Sequence, residues 1–250
     1  MPDIAVHARM GAEVYEKAGL GVDRDIFAFG LLGPDPYLFD RFFVPPFRHP
    51  TNRYSSVMHR QRTGDFLVEL AKRSSDLDVF AWLAGFLCHY ALDADTHPYI
   101  NEKAHGNIAL HMAIEHRLDL LDGGEIRIPP FLPERLRKPC GGAITHIYGW
   151  RDAWEKLKEG HRHMGPFYRL VRDESGALNN LFGWTRSPAA MLSYKSRVCD
   201  GMDLSGFAPL RERAVRDALR YIAAAEAFVR GEMGEEELRR VIGSRSYIEG

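Results

Sequence analysis

From Val79 to Leu92 nearly every position is apolar and charge is scarce. A helix that is hydrophobic all round is buried on every side, so residues 78 to about 96 are predicted to form the central helix of a bundle. Elsewhere hydrophobic positions recur at helical spacing. Residues 4–18 predict a first helix, with Met10, Val14 and Tyr15 on its apolar face, Asp3 as N-cap, and Gly19 and Gly21 as its stop. Residues 25–33 form an apolar run ending in Gly33-Pro34-Asp35-Pro36, where two prolines should keep Asp35 out of a helix. Residues 58–73 predict one helix, opened by His59 and packed through Phe66, Leu67 and Leu70. Residues 108–121 predict another, ending at Gly123-Gly124. Residues 143–173 carry Trp150 and Trp154 at helical spacing. A short helix is expected over 187–199, behind Pro188. Residues 208–231 are strongly amphipathic, and their charged face (Arg211 to Arg220) reads as solvated. Residues 235–241 predict a last short helix before a tail expected to fray. No strand-like alternation extends beyond a few residues. The expected fold is therefore all-α, a helical bundle whose short connections make neighbours antiparallel.

Composition narrows this picture. With 250 residues and 45% hydrophobic content, the chain suits a single helical domain, 1–250. The proline-broken stretch 125–141 is the best candidate for an internal boundary. A net charge of -1 gives no reason to expect a stable nucleic-acid partner. No run of eighteen apolar residues marks a transmembrane segment. The start, Met1-Pro2-Asp3, lacks the basic and apolar regions of a signal peptide. Cys88, Cys140 and Cys199 are odd in number and widely spaced, as expected of reduced thiols. Together these features lead to an expected cytoplasmic location. The sequence does not indicate an oligomeric state. Residues 39–56 collect Phe39, Arg41, Phe42, Phe43, Phe47 and Arg48 among prolines, and read as a substrate-facing lid, an oligomer contact or a loop packed on the domain.

Eight of the eleven histidines fall between His7 and His116, which places the chemistry within residues 1–120 and leaves the helices of 140–245 as support. His89 and Asp93 are four apart, as are His111 and Glu115, so each pair shares one helix face. One such pair is usually a surface or capping pair. Two are harder to place on a solvated face, and the first, set among Leu83, Phe86, Leu87, Leu92 and Tyr99, would be costly to bury without a partner. A divalent metal removes that cost, and zinc is the usual occupant of imidazole and carboxylate ligands. His97 precedes Pro98, which should end the first ligand helix near Thr96 and leave His97 on the connecting turn. Asp119 continues the His111–Glu115 face. His105 and His116 read as secondary, with His105 the alternative to His97. His161 and His163, two apart, do not share a face and suggest no second site.

The phrases Gly33-Pro34-Asp35, Met58-His59, the run from Gly85 through His89 to Asp93, and His97-Pro98-Tyr99-Ile100 resemble the zinc-dependent phospholipase C family. That family shares its all-helical fold with single-strand-specific zinc nucleases. The resemblance covers roughly residues 1–120. It implies two or three zinc ions that bind and split a phosphodiester. His59, His89 and Asp93 correspond to the ligands of one ion, with Asp93 bridging to another. His97, His111 and Glu115 correspond to a second set, His7 to part of a third, and Asp35 to the carboxylate that orients or deprotonates the attacking water. Secreted members begin with a tryptophan whose amino group and carbonyl complete the third site. Here the start is Met1-Pro2, so a third ion would be held otherwise, for example by His7 and Asp35. The spacing from Asp93 to His97 is also shorter than in those enzymes.

The expected activity is metal-dependent phosphodiester hydrolysis by an activated water. The substrate is a phosphoester, with a phospholipid headgroup or a nucleotide diester among the candidates. Two other classes fit fewer residues: a non-catalytic, metal-stabilised structural or regulatory protein, and a metal-free helical module docking through the Phe39–Phe47 loop.

Overall fold

In the computed structural model of the chain, residues 4–41, 52–122, 128–130, 132–177, 180 and 193–249 are described. Among these the regular structure is helical, with no strand. The expected N-cap Asp3, the bulk of the aromatic loop, the Gly123-Gly124 stop and the start of the 187–199 segment lie outside the described residues. Residues 193–199 themselves form turns rather than helix.

The centre is α5, Leu77–Ala104, for which Asp76 is the N-cap. Its side chain accepts a hydrogen bond from the Asp78 amide at 2.8 Å, a cap worth about 1 kcal/mol. Every residue from Val79 to His97 is buried. By length, and by a mean hydropathy of 1.2, α5 could cross a membrane, yet 89% of that window is buried inside the protein.

Among the described residues, four α-helices precede α5: α1 (Ile4–Lys17), α2 (Arg24–Gly30), α3 (Asn52–Arg60) and α4 (Thr63–Ala71). Helix α2 crosses α5 at backbone contact. A Cβ at Gly30 would lie 2.3 Å from the Trp82 carbonyl oxygen, and one at Gly85 would lie 2.1 Å from that of Phe27. No other residue allows that approach. The chain then turns at Gly33, whose φ is +52° and whose Cβ would sit 2.3 Å from the His89 ring. This close crossing lays Asp35 over His89.

After α5 come α6 (Ile108–Asp122), α7 (Gly142–Tyr148), α8 (Ala153–Arg172), α9 (Phe207–Val229) and α10 (Glu235–Ile242). Helix α9 covers the far side of α5, where Tyr90 and Tyr221 stack with ring centres 5.6 Å apart. Helix α8 backs the Asp35 segment, and the Tyr37 hydroxyl donates to the Ala153 carbonyl at 3.1 Å.

Several expectations are corrected. Helix α5 does not end near Thr96 but runs through Pro98 to Ala104. A proline inside a helix costs roughly 3 kcal/mol. Here the next turn still buries Ile100 and Ala104, which offsets that cost. The Thr96 hydroxyl also donates to the Leu92 carbonyl at 2.8 Å. His97 is therefore on the helix, not on a turn. The helix expected over 58–73 is two helices, broken where Arg62 adopts φ 56°, and His59 lies in the last turn of α3. Asp35 is not held out of helical structure. It opens a short 310 helix, Asp35–Phe39, with Pro36 at its start, where a missing amide hydrogen is tolerated. The helical spacing of Trp150 and Trp154 does not put both on one helix: Gly149, with φ 77°, ends α7, and Trp150 falls between α7 and α8.

Candidate metal centre

Four elements converge on the inner face of α5. His89, Asp93 and His97 are spaced i, i+4, i+8, one stripe down a single helix. Helix α1 brings His7, whose ring stacks on that of His89 with centres 4.4 Å apart. The end of α3 brings His59, and the 310 helix brings Asp35. Helix α6 folds back beside α5 after His105 and Gly106, both with positive φ. That reversal stacks His111 near His97, with ring centres 5.5 Å apart.

The donor atoms face one another. His7 Nε2 lies 3.2 Å from Asp93 Oδ1. His89 Nε2 lies 3.2 Å from Asp93 Oδ2, and His59 Nε2 lies 3.5 Å from the same oxygen. His59 Nε2 is also 3.2 Å from Asp35 Oδ1. His97 Nε2 and His111 Nε2 lie 3.7 and 2.6 Å from Glu115 Oε1. Ligands on a tetrahedral zinc stand roughly 3.4 Å apart, given metal–ligand bonds of about 2.1 Å, and most of these separations bracket that value. The donors fall into three groups: His7, His89 and Asp93; Asp35, His59 and His89; and His97, His111 and Glu115. All eight expected ligands are thus brought together. Asp35 groups with His59 and His89, and His7 with His89 and Asp93, so His7 and Asp35 do not share a group. His105 is exposed at the C-cap of α5 and takes no part.

The donor chemistry fits zinc. His7 Nε2, Asp35 Oδ1, His59 Nε2, His89 Nε2 and both Asp93 oxygens are buried without a hydrogen-bond partner in good geometry. Orphaned polar atoms at this density are costly unless an ion satisfies them. Three imidazoles are fixed from behind. His59 Nδ1 meets the Ser55 carbonyl at 2.7 Å, His89 Nδ1 that of Leu31 at 3.0 Å, and His97 Nδ1 that of Tyr247 at 2.6 Å. Such outer contacts set the tautomer and turn Nε2 inward.

Charge in the cluster is finely opposed. Burial pushes His59 down, but the carboxylates of Asp35 and Asp93 outweigh it and hold its pKa at about 9. Burial pushes Asp93 up, yet His89, His97, His59 and His7 pull it well below the usual carboxylate range. Burial keeps His97 well below 6.5 and lowers His111 to about 3. Both are neutral and available as ligands at neutral pH.

Residues outside the expected set hold this arrangement. Asp119, one turn beyond Glu115, belongs to none of the donor groups. Its carboxylate accepts from the Ala5 and Val6 amides at 3.1 and 2.9 Å, which caps the start of α1 and so positions His7. The Tyr194 hydroxyl donates to Asp119 at 2.8 Å. The end of the chain is not frayed: Tyr247 is 1% exposed, and its amide donates to the His59 carbonyl at 2.7 Å. Arg245 anchors this strap, donating to Asp95 at 2.7 Å and to Asp217 and the Tyr221 hydroxyl, each at 3.3 Å. The charged face of α9 is accordingly only partly solvated. Arg211 binds Glu13 and Asp122, and Arg213 lies 3.1 Å from Asp95. The closest hydrogen bonds of the strap to His59 and His97 run through the Tyr247 backbone, which leaves no signature in side-chain types. Asp95 did offer a signal, as a second carboxylate in an apolar helix that needed a cation.

The centre opens into a cleft of about 590 Å³. Asp35, His59, His97, His111 and Glu115 line it together with the apolar side chains of Leu38, Phe39, Met112, Phe167 and Ile248.

Fold and centre define an all-helical protein with a buried imidazole–carboxylate cluster built for divalent metal. The chain belongs to the zinc-dependent phospholipase C family: the family model described as zinc dependent phospholipase C matches residues 6–139, just over half of its length. A zinc-dependent hydrolase is what this membership implies. Neither comparison with curated proteins nor comparison with solved structures returned a match.

Proposed function

We propose that the protein hydrolyses phosphodiesters with apolar substituents, of the phospholipid type, using two or three zinc ions held by His7, Asp35, His59, His89, Asp93, His97, His111 and Glu115. The observation that supports this most is the cleft: five of the donors and several large apolar side chains line the same cavity. Zinc, when bound, supplies a water of lowered pKa and positive charge for the phosphoryl oxygens. The protein supplies the rest. Asp35, which lines the cleft, orients that water and takes its proton on the carboxylate. The carbonyls of Leu31, Ser55 and Tyr247 hold the imidazoles in register. Leu38, Phe39, Met112 and Ile248 seat the apolar substituent and keep bulk water from the reacting phosphorus.

A nucleic-acid strand would call for cations along the groove. Among the described residues lining the cleft, Arg60 alone is a lysine or arginine, which favours the lipid-type diester over a nuclease substrate.

The test is hydrolysis of short-chain phosphatidylcholine and of single-stranded DNA by protein purified without chelators, with zinc counted per chain. Phosphatidylcholine should be cleaved. Asp35→Asn should lose on the order of 10²-fold or more in rate while keeping the ions of the other groups, and Asp93→Asn should lose zinc and activity together. Zinc-loaded protein that cleaves no diester would point to a structural metal role, and faster cleavage of DNA would overturn the assignment of substrate.

A further inference from the structure

A second cleft, of about 600 Å³, lies between α8 and the wall formed by Pro129, Pro130 and Leu132. Its chemistry differs from that of the metal cleft. Lys158, Arg162, Arg169 and Arg172 line it, and at 100° per residue they fall within roughly 80° of arc on one face of α8. Between Arg162 and Arg169 the stripe carries Gly165 and Pro166, which extend no long side chain and leave the floor open.

Lys158 is compensated, because its Nζ lies 2.7 Å from Glu134. Arg162, Arg169 and Arg172 are exposed, and none pairs with a carboxylate among the described residues. Elsewhere Arg211, Arg213, Arg220, Arg230 and Arg239 each reach one. In a chain of net charge -1, three uncompensated guanidinium groups around one concavity are a local feature, not a result of overall basicity.

We infer that this cleft is a metal-independent anion site that takes a phosphomonoester. Guanidinium presents a planar fork that matches phosphate oxygens in pairs. A phosphomonoester, near −2 at neutral pH, suits three positive groups better than a single carboxylate. Pro129, Leu132 and Tyr168 offer apolar surface to the carbon portion of the ligand. Tyr168 also lines the metal cleft, so an anion held here lies one side chain away from it.

Calorimetric titration of the zinc-loaded full chain with glycerol 2-phosphate tests the site, since a monoester leaves diester cleavage out of the measurement. Saturable binding should weaken at least about tenfold in the variant R162Q/R169Q/R172Q, and should weaken with added salt in the natural sequence. The three side chains are exposed, and an unchanged melting temperature checks that the variant folds. The R162K/R169K/R172K variant keeps the charge and loses the fork, and it should bind with intermediate affinity. A parallel arm compares flotation with vesicles of phosphatidylcholine alone and of phosphatidylcholine containing phosphatidic acid. Arginine-dependent binding of the soluble monoester assigns a free ligand, and arginine-dependent binding only to phosphatidic acid vesicles assigns a lipid headgroup. Equal binding by the natural and glutamine-substituted chains, or binding by neither, would overturn the site.

Discussion

Arg245→Met is the most informative single change in the strap. Arg245 holds the end of the chain against α5 and α9 through Asp95, Asp217 and Tyr221. The Asp95 side chain is fully buried, and its other cation, Arg213, is half exposed and 3.1 Å away. Charge-assisted hydrogen bonds contribute roughly 1.5–3 kcal/mol, and breaking a fully buried pair costs roughly 3–5 kcal/mol. Arg213 keeps Asp95 partly compensated, so the loss should be about 3 kcal/mol. For a chain of this size that lowers Tm by roughly 6–12 °C, read by calorimetry on zinc-loaded protein. The change should also loosen Tyr247, whose carbonyl fixes His97 Nδ1 at 2.6 Å. Loss of such an outer contact weakens metal binding by about 10- to 100-fold, measured by competition with a chromophoric chelator. The double variant Arg245→Met/Asp95→Asn removes the stranded charge and should recover part of the stability. A large fall in Tm with unchanged zinc affinity would refute the positioning role of the strap, and no fall in Tm would refute the network itself.

Two further outcomes follow from particular positions. Gly33→Ala combines a φ of +52° with a Cβ 2.3 Å from the His89 ring. The backbone alone costs about 1–2 kcal/mol, and the displaced imidazole should lower bound zinc per chain; full zinc content by elemental analysis would count against the close approach. The second outcome concerns pH. His161 is 6% exposed, and burial lowers its pKa to about 4 despite a backbone hydrogen bond to Pro129. The unfolded chain then binds the extra proton between about pH 6.5 and 4. Stability is therefore full above 6.5, falls as pH drops through that window by about 3 kcal/mol in all, and levels off below 4. His161→Phe should flatten this part of the curve in urea unfolding, and an unaltered slope would show that His161 is not buried neutral.

The sequence by itself determined the helical class, because hydrophobic spacing follows the period of the local backbone. It also singled out His89, Asp93, His97, His111 and Glu115 as candidate donors, because imidazoles and carboxylates in apolar segments need a common partner; His7, Asp35 and His59 entered through the resemblance to the family. Distances in three dimensions were beyond it. Pro98 reads locally as a stop, yet α5 continues because packing of Ile100 and Ala104 outweighs a local cost of a few kcal/mol. That continuation moved His97 from a turn onto the stripe of His89 and Asp93. Asp119 continues the His111–Glu115 face in the sequence, and only the packing of α6 against α1 made it a cap for the helix that carries His7. The end of the chain looks like a fraying tail, because its closest hydrogen bonds to His59 and His97 run through the Tyr247 backbone, which carries no side-chain signature. Local pattern selected the donors; long-range packing decided where each one points.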